Sequence, residues 1–571
     1  MLKLKRLYTS PEIIDPIDFL DGFNLIFGEK GESSDKNNSV GKSLCIEFIN
    51  FALLKRKSGS RISLIPKKVF PPETFVCLDF ELHGIPFVIR RSLRESEQPT
   101  IIENGKENKF TKIEDATKYL TEKLFASSAS DYPKFRAIIG PLIRDERSGF
   151  KSLINCYDTK QRVAEDYAPH LYLLGIEIEF YEKIKQHLKD IEEITKDISR
   201  IKENVKLIRQ KDIEDARSDL NELDNEVNSI ESSIDKLENL AGYEIVKDEI
   251  ISLEEKIEAH RRKKTILKQQ LIKLKTVSQK VEIDPKEVSE FYEQLKNGLG
   301  NLILKNLDEV ISFKARIDEF QNRLINDRKE SLLKEVVEID KELSALDKKY
   351  SENLAVLNQK GELKNLKQTY AAFKEKSNQL SQLRSFVDRY DQLESDKQKA
   401  KSEKEVNLLK LQSQIQSHKT TIDDFQKTIL DIHEYIQGNK NASFKIKNTN
   451  KKQIIEAVLR IDDDGGNSVE KEKVFIYDMA LLLNQYTQKN HPGILIHDNV
   501  LEVDQDTLIK SLTFLESRAS FGSTQYILTL NSDRLESVES SLLEALEPYV
   551  RARFTKNNRF LKVKYQETSQ V

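Results

Sequence analysis

Ser39-Val40-Gly41-Lys42-Ser43 is the clearest chemical constellation in the chain. A glycine, a lysine and a hydroxyl at the start of a helix suit a phosphate group. Backbone N–H groups and the positive end of the helix face the anion. Lys42 would reach the β- and γ-phosphates of a nucleotide, and the Ser43 hydroxyl would help to hold Mg²⁺. In the spacing GxxxxGK[ST] the first glycine position holds Lys36. Gly28 and Gly31 lie farther upstream, so the loop carries a polar insertion, EKGESSDKNN. A bare GKS triplet arises by chance in many proteins, so its context decides.

Two C-terminal segments offer further chemistry. PGILIHDNVLEVD, residues 492–504, is an apolar run ending in His497 and Asp498, with Asp504 shortly after. A carboxylate at such a strand end can hold a metal or orient a water molecule as a general base. It is also a common helix cap. GGNSVEK, residues 465–471, precedes a helix pattern. Asn467 and Ser468 there can meet a phosphate or form a plain turn and N-cap.

The elements that must position these groups are legible in the periodicity. FNLIF at 23–27 reads as a buried strand, and LCIEFINFALL at 44–54 as the helix after the loop. Residues 73–93 alternate at period two and predict a hairpin turning near His83-Gly84. ATKYLTEKLFA at 116–126 reads as a helix. Near the other end, ASFKIKN (442–448), EAVLRID (456–462), GILIHD (493–498), QYILTL (525–530) and RFLKVKY (559–565) read as strands. VFIYDMALLLNQYT (474–487) reads as a helix, and another separates the two buried strands.

The middle differs. Ile213, Ala216, Leu220, Leu223, Val227, Ile230, Ile234, Leu237 and Ala241 alternate steps of three and four. Ile194 to Ile208 and Val246 to Ile257 carry the same spacing. So do Ile339 to Tyr350 and Leu380 to Tyr390. A stripe this long with charges elsewhere predicts a coiled coil rather than amphipathic helices in a globule. Asp284-Pro285, Gly298 and Gly300 interrupt it, so two helical arms around a turn suggest a hairpin. An arm of roughly 100 residues would reach on the order of 150 Å. The expected divisions are 1–165 for the N-terminal half of a head, 166–276 for the ascending arm, 277–300 for the tip, 301–437 for the returning arm and 438–571 for the C-terminal half. A split α/β domain with an inserted hairpin is what brings the two chain ends together.

Composition agrees. Of 571 residues 33% are charged, 8% are aromatic and none is Trp; mean hydropathy is -0.56. One compact globule of this length would need more apolar residues, so much of the chain is expected in exposed helix. Net charge is -3, with alternating signs, which excludes a whole-chain basic field for nucleic acid. Cys45, Cys77 and Cys156 are widely spaced and suggest neither a disulfide framework nor a zinc site. No apolar run reaches the length of a membrane span, and the first residues lack an apolar signal core. A cytoplasmic protein with no membrane association is expected.

With strand–loop–GKS–helix at one end and a second α/β segment at the other, the chain resembles the SMC/RecF/RecN class of ABC ATPases. DKNNSVGKSL looks like a variant of their GxNGxGKS loop, with Asn38 at the Asn position and Leu44 closing the motif. Within that class it looks most like the bacterial YydD-like family, whose heads share a DxxNSVGKS loop and an IHD segment. The resemblance implies an α/β ABC-type P-loop ATPase head, split into N- and C-terminal halves, with a long inserted antiparallel coiled coil. It implies ATP and Mg²⁺ as ligands of Asn38, Ser39, Val40, Gly41, Lys42, Ser43 and Leu44. Residues 492–504 then look like the Walker B strand and D-loop, with Asp504 as the D-loop Asp. Aligned on Asp504, His497 takes the Mg²⁺-linked position and Asp498 the catalytic carboxylate; this register is preferred. Aligned on carboxylate type, Asp498 is the metal-linked Asp and Asn499 replaces the catalytic Glu. Residues 465–471 stand for a degenerate signature, whose Ser468 or Asn467 would meet the γ-phosphate bound on a second subunit.

The chain departs from the family at two points. TLN, 529–531, stands where a TH pair is expected, and no Q-loop glutamine is evident. Arg136 and Arg144 lie near that place, as phosphate contacts, arm couplers or surface ion pairs. The resemblance further implies a homodimer joined through ATP-bound heads, and membership of multi-component defence systems with effector and accessory subunits. Lys55, Arg56, Lys57, Arg61, Lys67, Lys68, Arg90, Arg91 and Arg261 to Lys264 form local basic clusters. These are either sequence-nonspecific DNA contacts or solvated faces. The rival reading is a non-hydrolysing coiled-coil scaffold with a relic head.

Overall fold

The computed structural model describes the chain except residues 30–40, 72, 126–131, 157, 160–162, 239–243, 278–306, 358–361, 450–451, 462–465, 536–537 and 568–571. The expected tip at 277–300 thus lies, from 278 on, outside the described residues. The chain divides into two units. One joins Met1–Lys196 to Ser395–Val571, and the other is Asp197–Glu394.

From the N-terminus come β1 (Leu2–Ser10), β2 (Ile17–Asp18), β3 (Gly22–Gly28) and α1 (Lys42–Ala52). Then follow β4 (Phe75–Leu82), β5 (Ile85–Ser92), β6 (Thr100–Glu103), β7 (Lys106–Lys109) and α2 (Ile113–Phe125). After α3 (Phe135–Ile139), β8 (Ile143–Arg144) and α4 (Ala168–Leu173), long helices begin: α5 (Glu179–Arg209), α6 (Ile213–Glu238) and α7 (Glu244–Val277). The return is α8 (Leu307–Leu357), α9 (Glu362–Ser417) and α10 (Lys419–Gln437). The chain closes with β9 (Ser443–Asn448), β10 (Ile455–Arg460), α11 (Asn467–Leu483), β11 (Ile494–Asp498), α12 (Gln505–Ser517), β12 (Gln525–Asn531), α13 (Ser540–Leu546) and β13 (Val550–Phe554).

The first unit is built on a five-stranded sheet in the order β13-β3-β12-β11-β8, parallel throughout. Strands from both chain ends are interleaved in it, with β3 between β13 and β12 and β8 beside β11. Every residue of β3, β11 and β12 is buried, as expected of parallel strands covered on both faces. A second, antiparallel sheet runs β2-β1-β4-β5-β6-β7. The hairpin between β4 and β5 turns through His83 (φ 52) and Gly84 (φ 82), the left-handed pair that a tight hairpin favours.

Helix α1 lies between the two sheets. Phe48 and Ile49 share a core with Leu4, Val76 and Leu78 on one side and Ile26, Ile496 and Ile527 on the other. A helix apolar all round has to be buried, and each such side chain contributes about 1.5–3 kcal/mol. On the opposite face of the parallel sheet, α4, α10, α11 and α12 pack through Leu171, Ile429, Phe475 and Leu508. Gln525 links the two sheets: its amide donates to the Leu4 and Leu20 carbonyls at 3.0 and 2.8 Å and accepts from the Leu4 N–H at 2.9 Å.

The second unit consists of antiparallel helix pairs. Arg384 pairs with Asp224, Tyr350 with Glu254 and His260 with Glu342; as one number rises, its partner falls. Ile250, Ile257, Leu332, Ile339 and Leu343 form the seam between α7 and α8.

One expected strand is absent. Residues 559–565 are turn and irregular chain, and the last strand is Val550–Phe554. Phe560 and Leu561 instead pack into the core around α1. Among the described residues no helix is long and apolar enough to cross a membrane.

Candidate functional site

The carboxyl ends of β3, β12 and β11 lie side by side, with Gly28 opposite Asn531 and Thr529 opposite Asp498. The edge of a parallel sheet where helix N-termini converge is where such folds hold ligands. Helix α1 begins there. Gly41 precedes it with φ 114 and ψ 5, a left-handed conformation open to glycine. A Cβ at Gly41 would lie 2.4 Å from the Phe560 Cβ. Asn38, Ser39 and Val40 lie outside the described residues.

Lys42 is 9% exposed, and its ammonium donates to the amide oxygen of Asn531, 489 positions along the chain. Burial pushes the Lys42 pKa below its ordinary value, opposed by the charges of Asp498 and Glu146. Asp498 is fully buried. Its Oδ1 accepts from Thr529 Oγ1 at 2.6 Å, and its Oδ2 has no partner among the described residues. Such an orphaned carboxylate oxygen is costly unless something else satisfies it. Asn499 follows at φ 65; its amide donates to Glu502 Oε1 at 2.5 Å, and its own oxygen is also unpartnered.

Two cavities open beside these groups. One, of about 850 Å³, is lined by Ser43, Glu47, Asp145, Glu146 and Asp498 among others. The other, of about 510 Å³, is lined by Gly41, Lys42, Leu44, Asn499 and Asn531. Ser43, Arg61 and Glu146 border both. Burial raises the Glu146 carboxyl pKa, and the charges of Asp498 and Glu502 add to the effect. Thus Gly41, Lys42, Ser43, Leu44 and Asp498 come together with Arg61, read above as part of a basic cluster, with Thr529 and Asn531 of the TLN segment, and with Glu146, which no motif announced. Asn531 was visible only as the residue standing where a histidine was expected.

His497 is a correction. Successive residues of β11 face opposite sides of the sheet: Ile494 and Ile496 enter the core around α1, and Leu495 the other core. His497 therefore points away from Lys42. It is fully buried, with Nε2 3.0 Å from Asp478 Oδ2 and Nδ1 3.1 Å from the Tyr526 hydroxyl. Burial lowers its pKa, against the Asp478 contact. A side chain held there lines neither cavity, whereas Asp498 lines the larger one.

Other expected residues lie elsewhere. Asp504 caps α12, accepting from the Thr507 N–H at 3.0 Å. Helix α11 begins at Asn467, and Ser468 in its first turn lines neither cavity. Arg144 is buried and paired with Asp478 at 2.5 Å, which excludes a surface ion pair. Arg136 donates to the Leu53 carbonyl at 3.0 Å and borders the larger cavity. Arg91, taken as part of a basic cluster, is fully buried and stacks 3.9 Å from the Phe51 ring, so it cannot meet a DNA backbone. Lys55 pairs with Glu47 at 3.0 Å, Arg56 with Glu114, Arg61 with Glu567, and Arg261 with Asp347 at 3.6 Å.

Residues 427–565 match a family described as uncharacterised proteins conserved in bacteria (DUF2326). The chain is 23% identical over 590 residues to the uncharacterised protein YydD of Bacillus subtilis (strain 168), covering 97% of each. It is also similar to the crystal structure of an Smc head domain with a coiled coil and joint derived from Pyrococcus yayanosii. That match has 15% identity and a TM-score of 0.35 over 96% of this chain and 99% of that one. A second, from Pyrococcus furiosus, is an Smc head domain with an extended coiled coil bound to the C-terminal domain of ScpA. It has 12% identity and a TM-score of 0.33 over 94% and 91% of the two chains.

Proposed function

We propose that this chain is an SMC-like ATPase: residues of both chain ends bind ATP, and the helices between them form the coiled-coil arm. The observation that carries the reading is the meeting of Lys42 with Asn531, beside the orphaned Asp498 oxygen, at the N-terminus of α1. A buried lysine, a helix N-terminus and a carboxylate around cavities of this size suit a triphosphate.

Asp498 and Ser43 are the residues that would hold Mg²⁺. A single carboxylate and a hydroxyl, completed by phosphate and water oxygens, is the sparse donor set this ion accepts. Bound Mg²⁺ would neutralise charge on the phosphates as they separate. Lys42 adds a second positive charge from a desolvated position, and the backbone N–H groups beyond Gly41 orient the phosphates. Ser468, which lines neither cavity, or Asn467 would act on the nucleotide of a second copy, so that two chains dimerise through ATP. DNA binding without sequence preference, and work with effector and accessory subunits in bacterial defence, complete the proposal. The ion pairs across the basic clusters leave less free charge for DNA than their sequence promised.

Binding of a fluorescent ATP analogue with Mg²⁺, and release of phosphate, test the reading. Lys42→Ala is expected to abolish both and any nucleotide-dependent dimer; unchanged binding would refute it. A scaffold that binds nucleotide without hydrolysis is favoured by one observation: an amide, Asn499, follows Asp498 where a carboxylate would serve hydrolysis. Phosphate release by the wild-type chain, measured with and without linear and circular DNA, separates the two.

A further inference from the structure

We infer that Glu146 supplies the carboxylate that prepares water for attack on the γ-phosphate, in place of the residue after Asp498; this rests on the ATP-binding reading above. Asn499 has an amide that cannot take up a proton, and Asp498 is committed to Thr529 through one oxygen. The chemistry therefore needs another carboxylate close to Lys42 and Ser43.

Asp533, whose charge reaches Lys42 and whose Oδ1 has no partner among the described residues, lines neither cavity. Glu114, paired with Arg56, and Asp158 border only the larger one, and the other nearby carboxylates are committed. Glu502 is held by Lys471 at 2.5 Å and by Asn499. Glu47 pairs with Lys55 and accepts from the Arg61 N–H, each at 3.0 Å. Asp145 accepts from the Arg147 N–H at 2.7 Å and borders only the larger cavity. Glu567 pairs with Arg61. Glu146 borders both cavities, feels the charges of both Asp498 and Lys42, and its carboxylate has no hydrogen-bond or ion-pair partner among the described residues.

Its backbone is pinned on either side. Arg144 is anchored in the core by Asp478, Asp145 caps the short turn Glu146–Ser148, and Gly149 ends it at φ 60. Such a support fixes a side chain at a cavity mouth without spending its carboxylate. The second pointer to a ligand is the unpartnered Asp498 oxygen, on a fully buried side chain that lines a cavity Glu146 also lines. In the step itself, Glu146 takes one proton from water as the water oxygen bonds to the γ-phosphorus. The bond from that phosphorus to the β–γ bridging oxygen breaks, its electron pair leaves with ADP, and the proton passes on to solvent.

The test uses the full chain with Mg²⁺ and ATP. Glu146→Gln is expected to bind a fluorescent ATP analogue as the wild type does, to release phosphate about 100-fold or more slowly, and to retain ATP rather than ADP after gel filtration. Wild-type turnover that is lost with Lys42→Ala but kept with Glu146→Gln sinks this inference alone. A Glu146→Gln chain that no longer binds the analogue, or a wild-type chain that binds but never hydrolyses ATP, overturns it as well. Binding that survives Lys42→Ala removes the underlying reading, and this one with it.

Discussion

Arg144 and Asp478, 334 positions apart in the chain, meet as a two-pronged ion pair in the core, with Nε 2.5 Å from Oδ2 and Nη2 3.1 Å from Oδ1. The pair joins the edge strand β8 to α11, the helix that begins at Asn467. Arg144 also donates to the carbonyls of Ser152 and Asn155 at 3.1 and 3.3 Å, which folds the loop after Glu146 back on itself. Burial alone would raise the Asp478 pKa; Arg144 and His497 more than reverse that and hold it below the usual carboxylate range. Asp478→Asn leaves the guanidinium buried without a countercharge, at a cost of about 3–5 kcal/mol. Urea unfolding is expected to show this, and to show a smaller loss when Arg144→Met and Asp478→Leu are combined, because both charges then vanish. A double variant weaker than Asp478→Asn alone would mean the pair is not what holds this loop.

Gly41 and Phe560 set a second expectation. The glycine sits at φ 114, and a side chain there would strike the Phe560 Cβ. Gly41→Ala should lower stability by about 1–3 kcal/mol from backbone strain and abolish binding of the ATP analogue. Phe560→Gly combined with it removes the Cβ that would be struck but leaves the left-handed backbone at position 41, so binding should stay lost. Recovery of full affinity in the double variant would show that sterics alone, not backbone conformation, requires glycine.

The strands of the parallel sheet were legible because burial on both faces forces unbroken apolar runs such as FNLIF, GILIHD and QYILTL. The arm was legible because its seam repeats: Ile339 and Leu343 in α8 and Leu383 and Val387 in α9 are buried. The error at 559–565 came from reading Phe560 and Leu561 as strand residues, when they cover the start of α1. The actual strand, VRARF, does alternate Val550, Ala552 and Phe554 with Arg551 and Arg553, but over only five residues, and Ala552 gives the pattern little apolar weight. The placement of His497 on the face opposite Asp498 had a reason available in the sequence: neighbours on a strand face opposite ways. Glu146 carried no signal, because its place depends on β8 pairing with β11, a contact across some 350 positions that no local pattern encodes. Arg91 looked like surface charge, since only the fold reveals the carbonyls of Phe51 and Ser96 that receive it.

His170 and His491 make stability fall in mild acid. Both are buried. Desolvation pulls their pKa values down, to about 4 for His170 and about 3 for His491. With folded values below the free imidazole value near 6.5, the unfolded chain takes up protons first as the pH drops. Stability is therefore intact above about pH 6.5 and is lost progressively below it, until the folded-state values are reached. Between pH 7.5 and 5.5 each histidine should cost about 1.4 kcal/mol. The raised carboxyl pKa values of Asp145 and Glu472, both from burial, work the other way, because those groups gain protons earlier in the folded state. His491→Asn keeps an acceptor for the Gly493 N–H, which His491 Nδ1 receives at 3.0 Å. Guanidinium unfolding at the two pH values should then show a loss about 1.4 kcal/mol smaller in the variant than in the wild type. Equal losses in the two chains would mean that His491 is protonated while folded, and that the space around it admits water.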